Sequence, residues 1–137
     1  MSQANVDLVV GQFESTNARQ FTGVMDAWTD DVVLIVNDDL GPFSTSLTGK
    51  PAVGEWFGDW FRQFAKDYRF DIEEALDAGD DVVVVAHHHG SGRRSGAAVE
   101  RRAAYVFSVR EGRIAQIELW LHEHARDAAL EAAGLSA

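Results

Sequence analysis

The chain has no cysteine. Disulfides, thiolate metal sites and a cysteine nucleophile are excluded together, and a reducing, cytoplasmic setting is expected. Long apolar runs are missing as well: nothing approaches the ~20 consecutive apolar residues of a membrane span. Met1-Ser2-Gln3-Ala4-Asn5 offers neither a basic segment nor an apolar core, so no signal peptide is expected. Basic charge is scarce, 12 Lys and Arg against 22 Asp and Glu, for a formal net charge of −10. Such a chain repels phosphate backbones and anionic lipid, which argues against nucleic-acid and membrane partners; solubility is the plainer meaning of the charge. No glycine-rich phosphate loop, serine-nucleophile motif or dinucleotide fingerprint occurs, and no cofactor is expected.

What is present fits one domain over residues 1–137, with 46% hydrophobic residues to fill a core. Val6, Val9, Val10 and Phe13 share one helical face; Phe21, Val24, Met25 and Trp28 predict a second helix after a joint at Asn17–Gln20, with Asn17 in a left-handed cap. Asp31–Asn37 switches to a β-branched run, a buried strand, and Asp38–Gly49 is expected to be loop. Pro51 opens a third helix whose stripe runs Val53, Trp56, Phe57, Trp60, Phe61 and Phe64. Gly54 and Gly58 sit one turn apart in it, at about 1 kcal/mol each against Ala, which points to close approach of another element or a ligand. From Tyr68 the period becomes two: strands at Tyr68–Asp77, Val82–His89, Val99–Val109 and Ile114–Leu121 are separated by turns at Ala78–Asp80 and Glu111-Gly112 and by a flexible tip at Gly90–Gly96. A short helix, Glu123–Ala133, ends at Gly134. Helices first and hairpins after predict an α+β fold, an antiparallel sheet with helices on one face.

That order resembles the nuclear transport factor 2-like superfamily. Phe107-Ser108-Val109-Arg110-Glu111-Gly112-Arg113-Ile114, then Ala129-Leu130-Glu131-Ala132-Ala133-Gly134-Leu135, is similar to its SnoaL-like branch; Trp28-Thr29-Asp30-Asp31-Val32 and Leu47-Thr48-Gly49-Lys50-Pro51-Ala52-Val53 match it too. The resemblance implies a curved antiparallel sheet, a cone-like half barrel, with helices on its concave face enclosing an apolar pocket. It implies Leu34, Val36, Tyr105, Phe107, Val109, Ile117, Leu119 and Leu121 inside, and Gln116, Glu118 and Trp120 outside. His88 is placed inside with Val82, Val84 and Ala86. Members commonly pair as homodimers through the outer face, and an exposed Trp120 there would want cover. The fold hosts isomerases, dehydratases, cyclases, epoxide hydrolases and non-catalytic binders. In ketosteroid isomerase-like members the base falls on Val36 here, the helix tyrosine on Gln12 and the protonated acid on about Tyr105. The Arg-x-Asp pair of epoxide hydrolase-like members becomes Arg101-Arg102-Ala103. Both known routes lack a group.

The remaining polar residues on inward parities define the candidates. His88 could act as a base near neutral pH, and Tyr105 could donate to a carbonyl or enolate oxygen. Asp38, beside Asp39 at the expected pocket mouth, could serve as acid or base, although turn chemistry before Gly41-Pro42 explains it as well. Arg101 could hold an anion, and Glu74 either faces inward or leaves through a bulge. Trp56 and Trp60 are expected to roof the pocket, with Val36, Leu119 and Phe13 completing a ligand-binding lining. His87-x-His89 and His122-x-His124, with Glu118 or Glu123, invite a zinc reading, but no metal site is expected because His122 and His124 open a helix. The expected ligand is a flat, apolar, carbonyl-bearing small molecule, undergoing cofactor-independent proton transfer (isomerisation, dehydration or cyclisation). The alternative is a non-catalytic ligand-binding or dimerisation module.

Overall fold

The computed structural model describes residues 3–37, 44–121 and 124–135. Its elements are α1 (Gln3–Asn17), α2 (Phe21–Asp26), β1 (Trp28–Asn37), β2 (Thr45–Thr48), α3 (Lys50–Arg62), β3 (Arg69–Ala78), β4 (Asp81–Ser91), β5 (Ala98–Arg110), β6 (Arg113–Trp120) and α4 (Ala125–Ala132). The strands form one curved, unclosed sheet in the order β2-β1-β6-β5-β4-β3.

Four neighbouring pairs are antiparallel, but β1 and β6 run parallel, where hairpin logic predicts antiparallel pairing throughout. Parallel strands need a long crossover, and the chain between β1 and β6 supplies it. The register sets Leu34 beside Ile117 and Val36 beside Leu119, so the apolar residues of both strands share one face. Three local expectations change for comparable reasons. Trp28 begins β1 rather than ending a helix, because it pairs with Ile114 and its indole N–H finds Gln12 Oε1 at 2.8 Å. The Thr- and Ser-rich stretch is not all loop: Thr45–Thr48 adds an edge strand to β1. At the joint after α1 the positive φ belongs to Arg19 (62°), not Asn17. The Asn17 side chain instead grips the Phe70 backbone with two hydrogen bonds, at 2.8 and 2.9 Å, fastening α1 to β3.

The core has two parts. On the concave face Leu34, Val36, Tyr105, Phe107, Ile117 and Leu119 gather with Val9, Phe13 and Val53 of the helices. On the opposite face Val83, Val85, Ala104, Val106 and Trp120 meet Ala125, Ala129 and Leu130 of α4. So α4 crosses to the outer face instead of joining the other helices. The cover Trp120 needs comes from its own chain, leaving it 8% exposed. Glu74 follows a bulge in β3 and faces outward, where Arg126 of α4 binds its carboxylate at 2.5 and 2.9 Å and lowers its pKa. It is therefore no pocket residue. At the tip after β4 the β4–β5 ladder continues to Ser91 opposite Ala98, and Gly92 bridges to Phe64. Among the described residues no helix is long and apolar enough to cross a membrane.

Candidate functional site

The site starts with three tyrosine and histidine positions that strand geometry brings to one face. Tyr68 precedes β3 and shares the parity of Phe70. Phe70 lies opposite His88, and His88 lies opposite Arg101, four residues from Tyr105 on the same face. His88 is 2% exposed and Tyr68 is fully buried. Two hydrogen bonds join them: Tyr68 Oη to His88 Nδ1 at 3.0 Å, and Tyr105 Oη to His88 Nε2 at 2.8 Å. Burial, aided by Arg101 and by His87 and His89, lowers the His88 pKa to about 3. The imidazole is therefore neutral, with one donor and one acceptor. Burial likewise pushes Tyr68 up to about 12 and Tyr105 well above its usual value.

A neutral imidazole donates at one ring nitrogen and accepts at the other, so His88 links one tyrosine that donates to it and one that accepts from it. With the proton on Nε2, His88 donates to Tyr105 Oη and leaves the Tyr105 hydroxyl its own proton; with the proton on Nδ1, Tyr105 donates to His88.

Tyr105 lines a cavity of about 610 Å³ between α1, α2, α3 and the sheet. Phe13, Trp28, Phe57, Phe61 and Phe70 supply much of its wall, and Gln12, Arg19, Lys66 and Arg93 are among its polar residues. Both helix glycines lie on this wall, and a methyl group at Gly54 would meet Met25 Cε at 2.7 Å, so close approach of α2 is one reason for it.

The expected site residues divide around Tyr105. Phe13 lines the large cavity with it, its ring edge-on to Tyr105 at 5.2 Å. His88, Trp56, Trp60 and Leu119 line a separate void of about 20 Å³ behind Tyr105, which also borders it. The two tryptophans stack at 5.6 Å and do not roof the large cavity; Phe57 and Phe61, on the adjacent stripe of α3, do. Arg101 sits 5.8 Å over the Trp60 ring and lines neither space. Val36 is core and lines neither. Asp38 and Asp39 lie outside the described residues. Sequence reasoning passed over Tyr68, although its parity with Phe70 was readable, and also Gln12, Lys66 and Arg93 as cavity residues.

On the outer face Asp71, His87 and His89 bring ligand atoms within 4.8 Å of one another. The acid beside the histidines is thus Asp71 of the neighbouring strand rather than Glu118, which accepts from Asn37 at 3.0 Å, while His122 and Glu123 lie outside the described residues. Each imidazole already holds a carboxylate, His89 with Asp71 at 2.6 Å and His87 with Glu100 at 2.8 Å.

The sequence profile of the SnoaL-like domain matches residues 9–117. The chain belongs to the SnoaL-like domain family. Solved structures share this SnoaL-like fold at low identity. TerC, co-crystallized with polyporic acid, has a TM-score of 0.75 at 17% identity, over 94% of this chain and 99% of that one. A putative SnoaL-like polyketide cyclase from a Jannaschia species gives 0.75 at 19%, over 96% of each chain. A protein of ketosteroid isomerase-like fold from Catenulispora acidiphila, in complex with trimethylamine, gives 0.71 at 15%, over 94% and 93%. No curated protein sequence matches the chain.

Proposed function

We propose that this SnoaL-like domain binds a small, largely apolar, oxygen-bearing molecule in the 610 Å³ cavity, and that Tyr105 donates its hydroxyl proton to the ligand oxygen. The observation that carries this reading is the hydrogen-bonded chain Tyr68–His88–Tyr105, which ends in a hydroxyl at the wall of an aromatic cavity and, in the Nε2–H tautomer of His88, offers that hydroxyl's proton to the cavity. An unpaired buried donor costs about 1–3 kcal/mol, and a ligand carbonyl relieves it. The volume suits an aromatic or polycyclic body, and TerC, of similar fold and co-crystallized with polyporic acid, supports a small organic occupant.

Proton abstraction by His88 is not part of the proposal, because a base with a pKa of about 3 takes up no proton near neutrality. Asp and Glu are absent from the described lining as well. Binding is therefore the first reading. Catalysis of isomerase or cyclase type is the second, favoured by the Tyr105 donor, which is placed as an enolate-stabilising group is in such chemistry. Asp38 is the sequence's candidate for its base.

A thermal-shift and calorimetric screen against aromatic and polycyclic ketones tests the first reading. Tyr105→Phe should weaken a ketone hit about tenfold while leaving the fold intact. Equal affinity for the variant would remove Tyr105 from the site, and conversion of any hit to an isomer would promote the second reading. A cytoplasmic location and a homodimer paired through the outer face near Glu100 and Arg102 complete the proposal, supported by the missing cysteine and the family habit. Light scattering should then give twice the chain mass at micromolar concentration; the mass of one chain removes the dimer.

A further inference from the structure

The chain is strongly acidic, with 22 Asp and Glu against 12 Lys and Arg, yet the cavity wall inverts that balance. Arg19, Arg62, Lys66 and Arg93 line it, and among the described residues no Asp or Glu does. Random placement on this surface would bring acids to the wall about twice as often as bases. The four cations are not equivalent. Arg62 is held by Asp59. Arg19 spends its guanidinium on the carbonyls of Thr16, Lys66 and Tyr68 and lies against Phe61. Lys66 and Arg93 have no carboxylate partner among the described residues.

Backbone contacts hold those two at the same rim. The Arg93 N–H donates to Gln63 O at 3.0 Å, and the Ala65 N–H donates to Ser91 O at 2.8 Å, so the β4–β5 tip is stitched to the segment that follows α3. The one acid in that segment, Asp67, is occupied: its carboxylate accepts from the Ser91 N–H at 3.1 Å and from Ser91 Oγ at 2.9 Å. Among the described residues the rim therefore presents two unneutralised cations over an aromatic interior.

We infer that the ligand is an organic anion, an aromatic body with a carboxylate or other acidic oxygen, whose charge sits between Lys66 and Arg93 while its rings occupy the cavity. This rests on the binding reading above and names its ligand class. A cation pair beside a low-dielectric wall attracts such a ligand through the field of the cleft, and the −10 chain around it disfavours anions everywhere else, which sharpens selection for this one place. Neutral ketones of the same shape gain the apolar contacts and forgo the charge.

Naphthoate and its methyl ester, titrated by calorimetry at neutral pH, provide a matched pair of probes. The anion should bind about tenfold more tightly than the ester, and raising the salt to about 0.5 M should erase most of the difference. Lys66→Gln combined with Arg93→Gln should bring naphthoate down to the affinity of the ester. Arg102→Gln with Arg113→Gln makes the same change in net charge on the outer face and at the β5–β6 turn, and should leave the ratio as in the wild type. An ester that binds as well as the acid, or a ratio untouched by the rim substitutions, overturns the anion assignment while leaving the cavity a binding site. Binding of neither probe removes the cavity as a ligand site, and this inference with it.

Discussion

Between pH 7 and pH 5 the wild-type chain should lose about 2 kcal/mol more stability than a His88→Gln variant. Burial first, and Arg101 next, hold the folded-state pKa of His88 at about 3, against 6.5 for an ordinary histidine. The unfolded chain takes a proton as pH falls through 6.5, while the folded chain declines it until about 3. Stability from the neutral imidazole is thus complete above 6.5 and is lost progressively below, at about 1.4 kcal/mol per pH unit. Glutamine retains one donor and one acceptor for the two tyrosines and carries no titrating group. Urea denaturation of both proteins at the two pH values measures the difference. Parallel slopes would show that His88 titrates in the folded state as it does in water. Carbon-13 spectra of the imidazole check the same point without a variant: the His88 ring should stay neutral at pH 4.5 in folded protein, and a midpoint near 6.5 would return it to the role of base.

The fold was readable where one face of an element is wet. β6 and the residue after it alternate Ile117, Leu119 and Leu121 with Gln116, Glu118 and Trp120, and the structure keeps Ile117, Leu119 and Leu121 in the concave core and Trp120 in the outer one. β4 is different. Val82 and Val84 belong to the concave core, and Val83 and Val85 to the core under α4, so all four are buried and the run contains no alternation to read. That same run announces two covered faces, and with Ala104, Val106 and Trp120 it marks where α4 must lie. A sequence reading that assigns every helix to one face misses it.

The site was legible in its residue types and less so in its partition. His88 and Tyr105 share a face by strand parity, and the structure joins them at 2.8 Å. Parity cannot say on which side of Tyr105 a cavity opens. The aromatic stripe of α3 is wide enough to serve two surfaces: Val53 and Trp60 go to the core, while Gly54, Phe57, Gly58 and Phe61 go to the cavity. Lys66 and Arg93, 27 residues apart in sequence, meet the cavity only because the β4–β5 tip folds back onto the end of α3. No local pattern encodes that contact. The same chemistry explains how the domain can combine a neutral interior with an acidic exterior. The titratable groups of the interior are kept uncharged by burial, and the charges that a ligand would meet are placed at the rim, where water shares the cost.

Gly90→Ala should cost at least about 3 kcal/mol in stability and also disrupt the hydrogen-bonded chain. A Cβ at residue 90 would lie 2.5 Å from Tyr68 Cα, 2.9 Å from its N and 3.1 Å from its Cβ. These are mostly backbone atoms, so no side-chain rotation relieves the overlap; β4 and the start of β3 must separate. Tyr68 holds His88 at 3.0 Å, and displacing its backbone moves the hydroxyl that positions the imidazole. Gly112 supplies the contrast. It has φ 75° in the β5–β6 turn and nothing within 4 Å of an added methyl, so Gly112→Ala meets only the local strain of a left-handed residue, about 1 kcal/mol. Urea denaturation of the two variants side by side separates overlap from backbone strain. The Gly90→Ala protein should unfold at distinctly lower denaturant and, at temperatures where it remains folded, bind naphthoate more weakly than the Gly112→Ala protein does. Equal midpoints for the two variants would mean that β3 gives way without resistance at Tyr68, and that the hydroxyl chain is not held by the close packing of Gly90 against it.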